Sequence, residues 1–361
     1  MRKFKTVLVT GGAGFIGSNY LNRLVPKHPD VHFINFDALT YAGNLQNLVS
    51  IDDKPNYSFE KGDVTDESRI RGVLETHDVD VVVHFAAESH VDRSISDPGN
   101  FVRTNVDGTL VLLHEANRFW TQRCKKGFFH HVSTDEVFGS LGAKGHFTPT
   151  SPYAPRSPYA ASKAAADHLV RAFGTTYGLP YVITNTSNNY GPYQFPEKLI
   201  PLVIKNAVAG NAIPVYGKGD NVRDWLHVED HCEALEKVLF HGKESATYLI
   251  GGSEESSNLD LVTTLLDMVD TVLKQPIGKS RQLITFVKDR AGHDFRYAID
   301  SSETQQELNW KPKHTLQTGL LETVEWYLSY EDWLRDVVDE SYLSYYQRQY
   351  VDRESNQSRT A

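Results

Sequence analysis

The chain has 361 residues, 40% of them hydrophobic, and a formal net charge of −9, so it can bury a large core and form about two domains. The acidic balance argues against nucleic-acid partners and anionic membranes, which need a basic face. Cys124 and Cys232 lack the spacing of a disulfide framework or a structural zinc site. With no apolar signal core and no apolar run near the ~20 residues of a membrane span, a cytoplasmic protein is predicted.

A glycine-rich turn follows the first predicted strand. Residues 5–10 (KTVLVT) form a buried-strand pattern, and Gly11, Gly14 and Gly17 follow at the start of a predicted helix. Gly11 permits the tight turn, Gly14 lets backbone N–H groups approach a pyrophosphate, and Gly17 lets the helix pack closely on the sheet. This order of strand, turn and helix predicts a dinucleotide site.

An acidic residue ends the second predicted strand, residues 31–36. Asp37 lies 20 residues beyond Gly17, which is where a carboxylate accepts hydrogen bonds from the ribose hydroxyls of NAD. The same carboxylate would repel the additional phosphate of NADP, so NAD is the favoured cofactor. The alternative is an ordinary turn residue at the end of a strand.

Strands and helices continue to alternate over the first 190 residues. A third strand is predicted at 57–60, and Gly62-Asp63-Val64 after it could border an adenine. The β-branched run at 79–87 is typical of a central parallel strand buried on both faces. A helix at about 101–121 places Val106, Leu110, Leu113 and Ala116 at helical spacing, mostly as core. The series predicts an α/β fold, a Rossmann-type doubly wound parallel sheet with a smaller, mixed C-terminal substrate-binding domain.

Two adjacent acids end the predicted strand 128–133. Strands disfavour aspartate and glutamate, so Thr134-Asp135-Glu136 is unusual on structural grounds. Tyr159 and Lys163 open the following helix, four residues apart and therefore on one helical face. A lysine ammonium near a phenol favours the phenolate and is predicted to lower the tyrosine pKa. Such a tyrosine can remove a proton from a sugar hydroxyl while a hydride leaves the same carbon.

Seven segments resemble, in order, the extended short-chain dehydrogenase/reductase family, and within it the dTDP-glucose 4,6-dehydratases. They are 11–17 (GGAGFIG), 86–94 (AAESHVDRS), 133–137 (STDEV), 159–163 (YAASK), 187–193 (SNNYGPY), 223–225 (RDW) and 290–294 (RAGHD). The glycine turn and YxxxK are shared by the whole superfamily. The Thr-Asp-Glu triplet is the narrow signal, because sugar-nucleotide 4-epimerases typically keep the tyrosine and lysine but lack the acid pair.

The resemblance implies a set of site residues. Its catalytic residues are Thr134, Asp135, Glu136, Tyr159 and Lys163. Those for NAD are Gly11, Gly14, Phe15, Ile16, Gly17, Asp37, Thr40, Asp63, Val64, Phe85, Ala86, Ala87, Ser89, Thr104, Tyr159, Lys163 and Asn188. Those for a nucleotide-diphospho-glucose are Ser89, His90, Thr134, Asn188, Asn189, Lys198, Leu199, Tyr216, Arg223, Asn258, Asp289, Arg290 and His293. No metal is expected. Arg223 is the strongest diphosphate candidate from its chemistry alone, because its planar fork can pair two oxygens; an ion pair with Asp224 or Glu229 is the alternative.

The activity implied is NAD-dependent dehydration of dTDP-glucose to the 4-keto-6-deoxy sugar, feeding deoxysugar biosynthesis. A UDP-glucose 4,6-dehydratase, a 4-epimerase and a non-catalytic NAD-binding sensor are the alternatives. The helices at 101–121 and 158–177 resemble a dimer interface, so a homodimer is expected. The predicted organisation is a NAD-binding domain at 1–191 to which 228–253 and 314–335 return, a sugar-nucleotide domain at 192–227 and 254–313, and a tail at 336–361.

Overall fold

The computed structural model describes residues 2–338 together with Tyr342, Ser344, Tyr346, Gln347 and Gln349. The strands are β1 Thr6–Thr10, β2 His32–Asp37, β3 Tyr57–Lys61, β4 Val81–His84, β5 Phe128–Thr134, β6 Tyr181–Thr186, β7 Asn188–Tyr190, β8 Ile213–Tyr216, β9 Val222–His227, β10 Ala246–Ile250, β11 Glu255–Ser257 and β12 Ile284–Val287. The helices are α1 Phe15–Lys27, α2 Glu67–His77, α3 Val91–Ser96, α4 Pro98–Phe101, α5 Gly108–Gln122, α6 Pro158–Tyr177, α7 Leu199–Ala209, α8 Val228–His241, α9 Asn258–Val272, α10 Ser302–Leu308, α11 Leu316–Ser329 and α12 Glu331–Val337. Short 3-10 helices span Leu45–Leu48, Asp135–Phe138 and Ser280–Leu283.

Seven strands form one parallel sheet in the order β10-β6-β5-β4-β1-β2-β3. The order reverses between β1 and β4, and doubly wound sheets bind their ligands in the crevice outside such a switch point. The Rossmann-type sheet predicted from the sequence is therefore confirmed.

Side chains of the central strands alternate between two apolar layers. Val7 and Val9 of β1 pack in one layer with α1 and α8, while Leu8 packs in the other with α2, α5 and α6. This alternation follows from the two-residue repeat of a strand. Burial on both faces explains why strands such as β4 read as continuous valine runs.

A second lobe is built on smaller sheets and a third apolar cluster. β9 pairs antiparallel with β11 and parallel with β7, and β8 pairs with β12. Helices α7, α9 and α11 bury their apolar faces against one another. The sequence predicts that residues 314–335 return to the nucleotide domain, and Leu320 and Val324 of α11 lie fully buried in this third apolar cluster. Amphipathic spacing gives the buried face of a helix without giving its partner, and the predicted domain division stays a prediction.

The single helix predicted at 101–121 is three segments. After α4, residues Val102–Asp107 form a π-helical stretch, and α5 then begins at Gly108. The wider turn shifts the face that each later residue presents. Consequently Leu113 and Ala116 are buried as predicted, whereas Leu110 is 41% exposed.

Part of the tyrosine-containing tail is described. The Tyr342 hydroxyl donates to the carbonyl of Pro196 at 3.0 Å and accepts from Lys205 Nζ at 2.7 Å. Tyr345 and Tyr350 lie outside the described residues. Across the described part of the chain, none of the helices combines the length and the apolar character that crossing a bilayer requires.

Candidate active site

A cavity of 340 Å³ opens at the carboxyl ends of the parallel strands. Every residue predicted for the dinucleotide lines it: Gly11, Gly14, Phe15, Ile16, Gly17, Asp37, Thr40, Asp63, Val64, Phe85, Ala86, Ala87, Ser89, Thr104, Tyr159, Lys163 and Asn188. Thr134, Asp135 and Glu136 line it as well. The two stretches singled out from the sequence therefore meet in one space.

The glycine turn leaves no room for a side chain at Gly11 or Gly17. Gly11 has φ +71°, and a Cβ there would lie 2.6 Å from the backbone nitrogen of Ala86. A Cβ at Gly17 would lie 2.2 Å from the carbonyl oxygen of Gly11. The first N–H groups of a helix lack intrahelical partners, and α1 begins at Phe15 on the cavity wall. This cradle fits the pyrophosphate of a dinucleotide.

Asp37 stands beside that cradle at the end of β2. Its carboxylate accepts hydrogen bonds from the backbone N–H groups of Ala13 at 3.0 Å and Leu39 at 2.8 Å. Burial raises the pKa of Asp37, and these two bonds oppose the rise. The carboxylate is thus fixed on the cavity wall where a ribose would lie.

Thr134 starts the 3-10 helix that presents the acid pair. Its hydroxyl accepts from the backbone N–H of Glu136 at 3.2 Å, which caps the helix N-terminus. The chain therefore turns sharply at the sheet edge, and Asp135 is only 1% exposed. Asp135 Oδ2 has no hydrogen-bond partner among the described residues, as expected of a group that faces a polar ligand.

The two acids lie in opposite electrostatic surroundings. Burial raises the pKa of Asp135 well above its usual range, and the Glu136 and Asp224 carboxylates raise it further. Burial also raises the pKa of Glu136, but Arg290, Arg223 and Lys198 oppose that rise. The pKa of both acids is raised, and these surroundings favour the proton on Asp135 over Glu136.

Tyr159 and Lys163 lie on the first turns of α6, both buried. Burial and then the Glu136 carboxylate raise the pKa of Tyr159 strongly, so the lowering predicted from the nearby lysine is wrong for the protein alone. The Lys163 ammonium donates instead to the carbonyl of Val132 at 2.9 Å. Desolvation is therefore the main influence on the pKa of Tyr159 in the protein alone, and it favours the protonated phenol.

Another group of predicted residues adjoins the acid pair from the second lobe. The Tyr216 hydroxyl donates to Asp92 Oδ2 at 3.2 Å, and Arg290 Nη1 lies 3.8 Å from the same oxygen. Asp289 Oδ1 lies 2.6 Å from His293 Nδ1. Burial lowers the pKa of His293 to about 4, so the ring is neutral at neutral pH.

Arg223 is almost fully buried, and its guanidinium faces main-chain oxygens. It donates to the carbonyls of Val222 at 2.8 Å and Asp294 at 3.0 Å, and lies over the Tyr297 ring at 4.4 Å. Neither a diphosphate fork nor an ion pair with Asp224 is needed to explain this arrangement. The positive charge nonetheless acts on Glu136.

Of the remaining predicted substrate residues, the cavity is lined by Ser89, Asn188, Asn189 and Lys198 but not by His90, Leu199 or Asn258. Lys198 Nζ donates to the carbonyl of Ser89 at 2.8 Å, and Leu199 begins α7 beside it. His90 is buried, which lowers the pKa of its ring to about 3. Asn188 and Asn189 lie on β7 and line the cavity. Asn258 is the first residue of α9, and its backbone N–H donates a hydrogen bond to the carbonyl of Asn221.

Sequence reasoning missed two buried acids beside the cavity. Glu197 lines it and pairs with Arg93 Nε at 3.0 Å, and it accepts from the Tyr41 hydroxyl at 3.0 Å. Burial raises the pKa of Asp224 to about 6, and its charge acts on Asp135. The Arg-Asp-Trp segment was a signal for Asp224, but no spacing in the sequence connects Glu197 to Arg93, which is 104 residues away.

Comparison with known proteins supports the geometry. The family model described as GDP-mannose 4,6 dehydratase matches residues 8–323. The dTDP-glucose 4,6-dehydratase of Shigella flexneri is 50% identical over 362 residues, which cover 96% of this chain and 99% of that protein. The chain belongs to the dTDP-glucose 4,6-dehydratase family. The likeness extends along almost the whole chain and so includes both lobes.

Two solved structures of this dehydratase family are similar in fold. The Bacillus anthracis enzyme in complex with NAD is 46% identical, with a TM-score of 0.82, and the match covers 92% of this chain and 100% of that one. The Streptomyces venezuelae enzyme, solved with NAD and dTDP, is 43% identical, with a TM-score of 0.85, and the match covers 92% and 99%.

Proposed function

We propose that the protein is a dTDP-glucose 4,6-dehydratase that removes water from dTDP-glucose and yields dTDP-4-keto-6-deoxyglucose. The observation that carries the proposal is the acid pair, which lies next to Tyr159 with its two members in opposite electrostatic surroundings. The overall change is redox-neutral, since C4 is oxidised and C6 is reduced while one water leaves. An enzyme for this reaction needs a reversible hydride acceptor, a base at C4, a base at C5 and an acid at C6.

The cofactor fitted by the cavity is NAD, which when bound accepts a hydride and returns it within one turnover. Gly11, Gly14 and Gly17 would hold its pyrophosphate against the N-terminus of α1. Asp37 would accept the ribose hydroxyls and exclude an additional phosphate by charge repulsion.

Tyr159 is the proposed base at the C4 hydroxyl. The buried phenol holds its proton in the protein alone, so its ionisation depends on positive charge close to it. Lys163 supplies one such charge on the same helical face, and the Thr134 hydroxyl lowers the phenol pKa by hydrogen bonding. Thr134 and Lys163 thus prepare Tyr159 to exchange a proton with the sugar.

Glu136 and Asp135 divide the elimination between them. Once C4 is a ketone, the C5 proton is acidic, and Glu136, whose anionic form is stabilised by Arg290, Arg223 and Lys198 against the effect of burial, removes it. Asp135, whose proton is retained through burial and the neighbouring carboxylates, donates to the departing C6 hydroxyl. Water therefore leaves without an unstable hydroxide.

The polar groups between the lobes are the proposed binding site for the nucleotide diphosphate. Arg290 and Lys198 provide positive charges near Glu136. The buried Arg223 guanidinium also acts electrostatically on Glu136. Ser89, His90, Asn189, Tyr216 and His293 complete this wall. The choice of thymidine over uridine follows from the family, whose Streptomyces venezuelae member was solved with dTDP.

The product mass tests the proposal. Purified protein with NAD is incubated with dTDP-glucose and, separately, with UDP-glucose. The expected result is that dTDP-glucose loses the mass of one water molecule, and that UDP-glucose loses it more slowly. An isomer of unchanged mass would make the protein a 4-epimerase. Faster loss of water from UDP-glucose would mean that the preferred nucleotide carries uracil and not thymine. NAD binding without turnover of either sugar nucleotide would indicate a sensor.

Glu136→Gln is expected to abolish C5 proton exchange, because a neutral amide cannot accept that proton. The variant is incubated with dTDP-glucose in deuterated solvent, and deuterium at C5 is measured by NMR. Glu325→Gln on the exposed side of α11 is the matched control, and it should exchange like the unchanged protein. Undiminished exchange in Glu136→Gln would remove Glu136 from the role of base.

A cytoplasmic homodimer is the further part of the proposal. Val102 and Leu110 are 50% and 41% exposed along the helical segment that ends in α5, and apolar side chains in this position are suited to a helical interface. Sedimentation velocity of the purified chain is expected to give twice the mass of 40.7 kDa.

A further inference from the structure

A buried carboxylate lies one helical turn after Lys163. Asp167 on α6 is 0% exposed and is not among the side chains that line the cavity. Its Oδ2 accepts from the Tyr153 hydroxyl at 2.7 Å and from Asn185 Nδ2 at 3.2 Å, and its Oδ1 lies 3.2 Å from His131 Nε2. This acid touches neither the proposed cofactor position nor the acid pair, so the reaction described above gives it no role.

The groups bonded to Asp167 do not neutralise its charge. Tyr153 and Asn185 are neutral donors, and burial lowers the pKa of His131 to about 4, so the ring is uncharged at neutral pH. The Arg171 guanidinium donates to the Tyr153 hydroxyl at 2.9 Å and so reaches the carboxylate only through that hydroxyl. A buried charge needs compensation, and after the hydrogen-bonding His131 side chain it is the Lys163 ammonium that lowers the pKa of Asp167.

The Lys163 ammonium is likewise a buried charge, and it needs a negative charge close to it. Its side chain is 4% exposed, and its Nζ donates to one carbonyl, that of Val132. Burial lowers the pKa of Lys163 to about 8, and the Asp167 carboxylate opposes that lowering. Residues four apart on a helix are neighbours, and the two buried charges act on one another electrostatically without a direct ion pair.

Asp167 is also connected to the strand end that carries the acid pair. Asn185 Nδ2, which donates to Asp167, donates also to the carbonyl oxygen of Thr134 at 3.0 Å. Thr134 is the last residue of β5 and caps the 3-10 helix that presents Asp135 and Glu136. Asp167 is therefore connected to Lys163 and, through Asn185, to the strand end that presents the acid pair.

We propose that Asp167 is the buried counter-ion that keeps Lys163 protonated and that, through Asn185, fixes the end of β5. It is a positioning residue, since it acts through Lys163 and Thr134 and does not touch the substrate. The proposal rests on the proposed function, in which Lys163 supports Tyr159.

The other ionisable groups near Lys163 do not replace Asp167. Burial lowers the pKa of His84 on β4 and of His131 on β5, so both are neutral. The remaining groups are the protonated Tyr159 and the distant Arg171 on α6, together with Asp135 and Glu136 on the 3-10 helix. Removing the Asp167 charge therefore lowers the pKa of Lys163 further, and the ammonium is lost at a lower pH than in the unchanged protein.

The test is a direct titration of Lys163 in the full-length protein, first without NAD, the state to which the values below refer, and then with NAD. Lysine labelled with ¹³C at Cε is followed by NMR, and Lys163→Arg identifies the signal. A pKa of about 8 is expected for the unchanged protein, and Asp167→Asn should lower it by at least about one unit. Asp167→Glu should restore most of the shift. Glu115→Gln, which removes a buried acid of α5 paired with Arg71 of α2 and Arg118 of α5, should leave it unchanged.

Kinetics provide the second readout. The alkaline limb of kcat/KM for dTDP-glucose should move to lower pH in Asp167→Asn, with more activity retained at pH ~6.5 than at pH ~8.5. An equal loss at every pH, or an unchanged Lys163 titration, would overturn the proposal. If Asp167→Asn does not fold, the titration of the unchanged protein still tests the proposal. A Lys163 side chain that is already neutral below pH ~7 would have no effective counter-ion and would contradict it. Absence of turnover in the unchanged protein would overturn the proposed function alone, since the titration needs no substrate.

Discussion

Asp135→Asn is expected to lower kcat for water loss from dTDP-glucose by about 10²–10⁴-fold. The amide keeps the shape of the side chain but carries no acidic proton for the C6 hydroxyl. Because Asp135 is buried with an unpartnered Oδ2, no solvent path replaces that proton easily. The measurement is the rate of 4-keto-6-deoxy product formation, followed by mass.

The control for that variant is Asp267→Asn, which changes a surface acid paired with Arg281 and should retain normal turnover. C5 exchange in deuterated solvent distinguishes the two halves of the elimination. It should continue in Asp135→Asn, since Glu136 is intact. Normal turnover of Asp135→Asn would mean that the proton comes from elsewhere and would end the assignment of this acid.

Tyr159→Phe is expected to lower kcat by a similar ~10²–10⁴-fold, but at an earlier step. Phenylalanine keeps the ring, which packs edge-on against Phe101 at 6.3 Å, while the hydroxyl that exchanges the C4 proton is lost. The absorbance of reduced nicotinamide, which substrate addition should produce in the Asp135→Asn variant, should be absent here.

Tyr177→Phe is the matched control, because Tyr177 lies on the same helix and is 60% exposed. It should behave as the unchanged protein in both assays. A normal transient of reduced nicotinamide in Tyr159→Phe would exclude the phenol as the base at C4.

Much of the site could be predicted because it depends on short local patterns. The glycine turn, Asp37 and the acids after β5 all lie at carboxyl ends of parallel strands, and in a doubly wound sheet these ends meet at one edge. Hydrophobic runs mark such strands, so the meeting of Gly11, Asp135 and Tyr159 followed from the order of elements alone.

Long-range packing and burial were not predictable in the same way. The sequence shows that Lys163 is four residues from Tyr159, but the pKa of the phenol depends on how completely α6 covers it. Likewise, the pairing of Arg93 with Glu197 and the packing of α11 on α7 depend on which faces meet across the fold. A π-helical stretch before α5, which exposed Leu110, has no clear signature in a repeat of apolar residues.

The packing of α11 has a consequence for how the chain matures on the ribosome. Both lobes are completed late, since the parallel sheet lacks its edge strand until β10 is made and the second lobe lacks part of its apolar centre until α11 emerges. The face of α7 that α11 covers is exposed in the nascent chain while the residues from Ala209 to Ser329 are made, which takes roughly six to twenty-four seconds at ordinary synthesis rates. Newly made chains are therefore vulnerable to aggregation until α11 has been synthesised, and chaperone binding during that interval would protect them.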